Sequence, residues 1–179
     1  MANAPAPPLS FLFRDPAHLI ACGFGSGLSP WAPGTAGTLF AWASFPLLRL
    51  VFPGDLACLL ALCVLFVLGV IVCDITGRHL GVVDHGSIVW DEIVPFWAVL
   101  LFCPPALMHA FHGWGFSLNG LLWQGIGFAL FRLFDIVKLP PARYFDRRVK
   151  NGFGVMMDDV IAAGYTVLTI AVFKAFLPF

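Results

Sequence analysis

Residues 56–73, LACLLALCVLFVLGVIVC, form an apolar stretch of eighteen residues without a formal charge. A helix that crosses a bilayer needs about 20 predominantly apolar residues, with a range of about 17–25. Long continuous runs rich in Leu, Ala and Phe favour helix over strand, because half-buried strands alternate and buried strands are short. This stretch therefore predicts a membrane-crossing α-helix.

The composition of the whole chain agrees with that prediction. Of 179 residues, 60% are apolar and 11% are charged, and the mean hydropathy is +0.90. Soluble domains are about 45–50% apolar and about 25% charged. We therefore expect one membrane-embedded domain over residues 1–179, with residues 1–18 as a flexible N-terminal tail. Ten Lys and Arg balance ten Asp and Glu, which leaves no basic excess for nucleic acid.

The apolar runs predict an all-α, integral membrane bundle of about five apolar helices. Their expected bounds are near 38–52, 56–77, 91–108, 118–136 and 159–176. The 39 residues of 93–131 contain no charged side chain, which suits two helices joined near Pro104, Pro105, His109 and His112. The first and last helices are short for a full crossing, so either could tilt or stop within the bilayer.

Polar residues gather in three clusters, at 23–38, 74–92 and 132–159. Two predicted helices separate each cluster from the next, and two crossings return a chain to its starting side. All three clusters are therefore expected on one membrane face. Arg49 and Lys174 are expected on the other face. The remaining eight of the ten basic residues are expected on the shared face: Arg14, Arg78, Arg132, Lys138, Arg143, Arg147, Arg148 and Lys150. This bias predicts a cytoplasmic face.

Two pairs of adjacent carboxylates stand beside apolar helices. Asp91 and Glu92 form one pair, Asp158 and Asp159 form the other, and Glu92 is the only glutamate in the chain. Capping and the helix dipole explain one acid at each helix start, but two per helix in so charge-poor a chain favour a cation site. Oxygen ligands suit Mg²⁺, so we predict a Mg²⁺ site at these four acids, in which one acid of each pair could bind the ion while the other orients it.

Acid–base groups are predicted close to those ligands. Asp84 and His85 each precede one acid of the first pair by seven residues, a spacing that shares a helix face over two turns, although Gly86 makes a turn equally compatible. Imidazole exchanges protons readily near neutral pH. We predict Asp84, His85 and Asp135 as the catalytic groups.

Phosphate ligands are predicted on the third and first clusters. Arg132 and Lys138 lie on a polar stripe at the end of an apolar helix, and Arg147 follows shortly after. Guanidinium and ammonium groups suit phosphate oxygens. Ser26 and Thr35 belong to a Gly-rich segment whose backbone could approach an anion, although a Gly/Pro-rich turn is the ordinary explanation. Together these features indicate hydrolysis of a phosphate ester on a lipid headgroup.

The same segments resemble the phosphatidylglycerophosphatase A family. They are GFGSGLSPWAPGTAGTL (23–39), DHGSIVWDE (84–92) and FRLFDIVKLPPARYFDRRVKNGFGVMMDDVIAAG (131–164), about a third of the chain in the family's order. The family usually has Lys-Pro where this chain has Lys138-Leu139-Pro140, and Gly-Gly where it has Asn151-Gly152.

This resemblance implies a helical, Mg²⁺-dependent phosphatase of the bacterial inner membrane. Such an enzyme converts phosphatidylglycerophosphate to phosphatidylglycerol in phospholipid biosynthesis. The expected partners are the phospholipid substrate and the membrane, and the chain could also form a homo-oligomer. The family's acidic motif positions fall on seven residues of this chain: Asp84, Asp91, Glu92, Asp135, Asp146, Asp158 and Asp159.

Other functions would require different sequence features. A small transporter or cation-binding channel would use the same acids as an ion pathway, but it predicts acids in mid-helix and on both membrane faces. Among enzymes, a haloacid-dehalogenase phosphatase needs an Asp-x-Asp loop, which does not occur. Direct attack by water, assisted by a metal ion, is the mechanism that the residues favour.

Overall fold

The computed structural model describes residues 5–110 and 113–176, apart from the side chains of 108–110, 113 and 114. It is all-helical, as predicted, apart from one short hairpin. The helices are α1 (Pro16–Ala21), α2 (Pro33–Val51), α3 (Asp55–Leu80), α4 (Trp90–Phe102), α5 (Leu118–Val137), α6 (Ala142–Arg148) and α7 (Gly152–Phe176), and the antiparallel strands are β1 (Leu107–Ala110) and β2 (Gly113–Phe116). Two 3-10 segments, Leu9–Phe13 and Gly23–Leu28, flank α1.

Within residues 5–110 and 113–176, three helices are long and apolar enough to cross a membrane, whereas about five apolar helices were predicted. They are α3, α5 and α7, with 26, 20 and 25 residues. The predicted helix at 91–108 was too long, because α4 ends at Phe102 before Pro104 and Pro105, and the join to α5 contains the hairpin. Of the residues that we placed at this join, His112 lies outside the described residues. The last helix was predicted to be short for a full crossing, but α7 has 25 residues and is long enough to cross a membrane.

Helix α4 is the centre of the bundle. Nine of its thirteen residues are buried, and α2, α3, α5 and α7 pack around it. A helix that is apolar all round is buried, and at 1.5 Å per residue thirteen residues reach only about 20 Å. The fold therefore uses α4 as a core helix, and its first turn carries Asp91 and Glu92 into the interior.

Close approach of two helices fixes where α7 begins. A Cβ atom at Gly152 would overlap the Val70 carbonyl oxygen of α3, and the Gly152 N–H donates to Asp74 Oδ1 at 3.2 Å. Asn151 Oδ1 accepts from the Gly154 N–H at 3.1 Å, as an N-cap does. The helix therefore starts seven residues before the predicted position of 159, and Asp158 and Asp159 lie inside it.

The N-terminal segment is packed against the bundle. Leu9–Phe13 and Pro16–Ala21 are helical, and Phe11, Leu12, Ala17 and His18 are buried. The expectation of a flexible tail over 1–18 therefore fails for residues 9–18; the first four residues lie outside the described ones.

Candidate active site

The three polar clusters meet at one end of the bundle. The Glu92 carboxylate from the second cluster contacts Arg132 of the third and packs beside Gly34 of the first. The Val89 N–H donates to the Ala21 carbonyl oxygen at 2.9 Å, next to the Gly-rich segment. The three clusters therefore lie close together. Of the described helices between the first and second clusters, only α3 is long and apolar enough to cross a membrane, so the two-crossing argument does not account for their meeting.

Arg132 joins two acids from different helices. Its Nη1 lies 2.8 Å from Glu92 Oε1 on α4 and 2.8 Å from Asp135 Oδ2 one turn later on α5. The side chains of Arg132, Glu92 and Asp135 are only 17%, 13% and 12% exposed. Such weakly hydrated ion pairs hold their partners in place more firmly than surface pairs do. Arg132 thus links α4 to α5 at the site.

Lys138 forms a second bridge. Its Nζ lies 2.5 Å from Asp158 Oδ2 on α7 and 2.9 Å from Asp146 Oδ1 on α6. Lys138 caps α5 in the left-handed region, with a φ of 48°, which turns the chain toward Pro140, Pro141 and α6. The two carboxylates raise the pKa of Lys138 despite its partial burial, so the ammonium stays charged.

Asp91 and Asp159 complete the cluster as buried carboxylates, 7% and 4% exposed. Burial raises the pKa of Asp91 well above its ordinary value, and the nearby charges of Glu92, Asp84 and Asp158 raise it further. Burial also raises the pKa of Glu92 to about 7, although Arg132 opposes the shift. The acids are therefore close enough to repel one another in a poorly hydrated space.

Several polar atoms of this cluster have no hydrogen-bond partner within the described chain. They are Asp91 Oδ1, Glu92 Oε2 and Arg132 Nε, all buried. Buried polar groups are nearly always satisfied, so orphan carboxylate oxygens call for an explanation such as an ion or a water. The donor set fits Mg²⁺, which takes carboxylate oxygens and keeps several waters.

No three of the four predicted ligands, all of which the structure describes, place carboxylate oxygens within 4.8 Å of one another. Over residues 5–110 and 113–176, the one group of three acidic, imidazole or thiol ligand atoms that all lie within 4.8 Å is Asp15, His18 and His79. Arg132 and Lys138 instead neutralise Glu92 and Asp158. Arg132 and Lys138 therefore bind carboxylates that a metal ion would also bind.

The predicted catalytic groups occupy different environments. Asp84 is exposed at the edge of the cluster, and its charge acts on Asp91, Glu92 and Asp158. His85 is buried, and its Nδ1 accepts the Ser87 N–H at 3.1 Å. Desolvation lowers the pKa of His85, opposed by Asp84. The imidazole therefore supports the loop that carries Asp84.

The predicted phosphate ligands of the Gly-rich segment, Ser26 and Thr35, make no hydrogen bond to the Arg132 and Lys138 ion pairs in the described residues. Ser26 Oγ donates to the Gly23 carbonyl oxygen at 2.8 Å, and Thr35 is half-buried in the first turn of α2. The glycines here allow neighbouring segments to pack closely. A Cβ atom at Gly27 would overlap the Ser87 carbonyl oxygen, and one at Gly34 would overlap the Glu92 carboxylate. Arg147 is exposed on α6 and makes no ion pair with a described residue.

Two contributors were absent from the predicted site. Asp146 holds Lys138, and the family motif, but not residue chemistry, had marked it. Gly34 admits the Glu92 side chain against α2, and the only sequence signal was the spacing of Gly34 and Gly37 on one helix face.

Carboxylates paired with Arg and Lys at the end of a helical bundle are typical of a phosphoryl-transfer enzyme. Comparison with known proteins shows that this enzyme is a phosphatase. The model of the family described as Phosphatidylglycerophosphatase A matches residues 19–174. The chain belongs to that family.

The relatives cover most of the chain. Phosphatidylglycerophosphatase A of Haemophilus influenzae is 44% identical over 170 residues, which is 94% of this chain and 93% of that protein. The Escherichia coli protein of the same name is 42% identical over 151 residues, 83% of this chain and 77% of its own. A Bacteroides thetaiotaomicron protein, provisionally named phosphatidylinositol-3-phosphatase, is 41% identical over 158 residues, 86% of this chain and 91% of its own. No solved structure matches the chain.

Proposed function

We propose that the chain hydrolyses phosphatidylglycerophosphate to phosphatidylglycerol and phosphate with Mg²⁺ as cofactor. The substrate is supported by the two relatives named phosphatidylglycerophosphatase A, at 44% and 42% identity. The name of the Bacteroides relative supports a second candidate, a phosphatidylinositol 3-phosphate. A transporter or channel is not favoured, because these relatives are all named as phosphatases.

The observation that carries the Mg²⁺ proposal is the pair of orphan oxygens, Asp91 Oδ1 and Glu92 Oε2, inside a cluster of carboxylates. Asp91, Glu92, Asp158 and Asp159 are the residues that would hold the ion. The ion would supply Lewis-acid polarisation of the phosphoryl group and offset the charge of the acids.

Arg132 and Lys138 are proposed to bind the substrate phosphate. In the absence of substrate each is shared between two carboxylates. Each retains further N–H groups, because guanidinium has five donors and ammonium has three. A phosphomonoester brings acceptor oxygens that can replace one carboxylate in each bridge. Arg147, Ser26 and Thr35 are proposed to contact the headgroup.

Asp84 is proposed as the general base. Its exposure at the edge of the cluster gives access to water, and a carboxylate oxygen of Asp84 would accept a proton from the attacking molecule. The water oxygen forms a bond to phosphorus as the bond to the glycerol oxygen breaks. The leaving oxygen takes up a proton from solvent, and Asp84 then releases to solvent the proton that it accepted. His85 and Asp135 are proposed to position other groups, since His85 holds the Asp84 loop and Asp135 holds Arg132.

The chain is further proposed to lie in the bacterial inner membrane with the site toward the cytoplasm. Three apolar helices are long enough to cross. The sequence assigns eight of the ten basic residues to the face expected to carry the polar clusters, and such a bias favours the cytoplasmic side. An anionic lipid of that leaflet would then reach the acids laterally.

Phosphate release by the purified chain in detergent micelles tests the proposal. Phosphatidylglycerophosphate and phosphatidylinositol 3-phosphate are compared, each with Mg²⁺ and with EDTA. We expect Glu92→Gln to lose at least about 10²-fold in turnover, equal to about 2.7 kcal/mol of barrier. Asp55→Asn is the matched control, because Asp55 is 81% exposed and pairs with Arg49 away from the site.

Three results would count against the proposal. Full activity in EDTA would remove Mg²⁺ from it. Faster turnover of the inositol lipid would change the substrate. Equal activity of Glu92→Gln and Asp55→Asn would move the chemistry away from the acid cluster.

A further inference from the structure

Three ligand-bearing side chains meet outside the acid cluster. Asp15 precedes α1, His18 lies within α1, and His79 lies in the last turn of α3. One ligand atom from each lies within 4.8 Å of the other two. His18 Nε2 and His79 Nδ1 are 2.7 Å apart, although 61 residues separate them in the chain.

The position and hydrogen bonding of the His18 ring resemble those of a metal-binding histidine. It is 3% exposed, its ring stacks on Phe11 with centroids 3.9 Å apart, and its Nδ1 lies 3.0 Å from the Phe11 carbonyl oxygen. Because a carbonyl oxygen only accepts, Nδ1 carries the proton, and Nε2 presents its lone pair toward His79. A histidine ligand typically donates its other ring N–H to a carbonyl or carboxylate in this way.

The neighbouring groups can supply two more ligand atoms. Asp15 Oδ1 accepts the Ala17 N–H at 2.8 Å, so the carboxylate is oriented at the start of α1. Without an ion, His79 Nδ1–H donates to His18 Nε2. When an ion binds, that proton passes to Nε2 of His79, a residue whose side chain is exposed to solvent. Both imidazoles then offer a lone pair, and no net proton is lost.

We propose that Asp15, His18 and His79 bind a divalent transition-metal ion of the zinc class. Two imidazoles and a carboxylate suit Zn²⁺, whereas Mg²⁺ prefers oxygen ligands alone. Zinc–nitrogen bonds are about 2.0–2.1 Å long, so the two rings separate slightly to admit the ion. The site is distinct from the acid cluster and does not depend on the proposed reaction.

The position of this site gives the ion a structural role. His79 is five residues before Asp84, and α1 leads directly to Ala21, whose carbonyl oxygen accepts the Val89 N–H. An ion that joins α1 to the end of α3 therefore ties together the two segments that enter the active site. Binding to the folded state alone stabilises it in proportion to ion concentration and affinity.

Calorimetric titration of the metal-stripped full chain with Zn²⁺ tests the proposal. Excess Mg²⁺ is present to compete for the acid cluster. We expect one Zn²⁺ per chain and at least about 10-fold weaker binding in His79→Gln, since loss of even an outer-shell partner costs about 10–100-fold in affinity. Asp15→Asn should also weaken binding. Glu92→Gln and Cys63→Ala, the latter removing an exposed thiol, are controls that should bind as the wild type does.

Thermal unfolding provides a second measurement that is independent of activity. Zn²⁺ should raise the Tm of the wild type and of Cys63→Ala, and should leave the Tm of His79→Gln unchanged. Because His79 is exposed, its replacement should not prevent folding. Absence of Zn²⁺ binding to the wild type, or unchanged affinity in His79→Gln, would show that the histidines form only a hydrogen-bonded pair.

Discussion

Replacement of Gly34 by alanine should separate activity from stability. Gly34 is the second residue of α2, and the Glu92 carboxylate packs directly against it. A Cβ atom at this position would lie 2.7 Å from Glu92 Cδ and 2.8 Å from Oε2, and would overlap Oε1. The added methyl group therefore meets the end of a side chain and not a rigid backbone.

The size of the effect follows from these distances. Ordinary van der Waals contact begins at 3.4 Å, so Cδ must retreat from 2.7 Å by about 0.7 Å. The 2.8 Å bond from Arg132 to Glu92 Oε1 is then lost or distorted. Misplacement by about 1 Å can cost about 10²-fold in rate, so we expect turnover to fall by about that factor. The helix itself gains up to about 1 kcal/mol when alanine replaces glycine, so the Tm should change little.

Phosphate release from phosphatidylglycerophosphate and thermal unfolding are measured on the same preparation. Gly164→Ala in α7 is the matched control, because nothing lies within 4 Å of a Cβ atom there, and it should keep full activity. Wild-type turnover in Gly34→Ala, with an unchanged Tm, would refute the conclusion that α2 fixes the catalytic position of Glu92.

Three further predictions concern charge, topology and pH. Lys138→Gln should lower turnover at least about 10-fold and lower the Tm, because Asp158 loses its ammonium partner; phosphate release and thermal unfolding check this. In a Cys63→Ala background, Asn151→Cys should react with an impermeant thiol reagent from the cytoplasmic side of the membrane, and labelling from the periplasm would reverse the proposed orientation. In EDTA the Tm should rise as pH falls from about 7 toward 4.5, because the folded state, in which the pKa of Glu92 is raised from 4.5 to about 7, binds the proton before the unfolded state does. Glu92→Gln should flatten this slope.

The location of the site could be predicted because charge is scarce. In a chain with 11% charged residues, each buried carboxylate needs a partner, and acids in different apolar segments can find one only where those segments meet. Glu92 meets Arg132 and Asp158 meets Lys138 in this way. The sequence also predicted α3 to within three residues at each end, because residues 56–73 form an unbroken apolar run.

The pairing within the site could not be predicted. Arg132 and Glu92 are 40 residues apart, and their contact depends on how α4 and α5 pack around the core. The start of α7 was placed too late because Asn151-Gly152 resembles a turn, whereas Asn151 acts as an N-cap and Gly152 admits the backbone of α3. Asp158 and Asp159 consequently lie beyond the first turn, where the capping explanation considered for them no longer applies.

The histidine pair illustrates the same limit. His18 and His79 gave no signal in the sequence, because their separation matches no local metal-binding spacing. Only the packing of α1 against the end of α3 brings them together.

The unequal numbers of acids and bases at the site bear on product release. The seven motif acids outnumber the two bridging cations, Arg132 and Lys138, so the site keeps an excess of negative charge even though burial raises the pKa of Asp91 and Glu92. Free inorganic phosphate is repelled by such a field. A lipid is restrained against this repulsion by its acyl chains, which stay in the bilayer. Cleavage of the ester removes that restraint, so the reaction itself converts a retained substrate into an ion that the site expels.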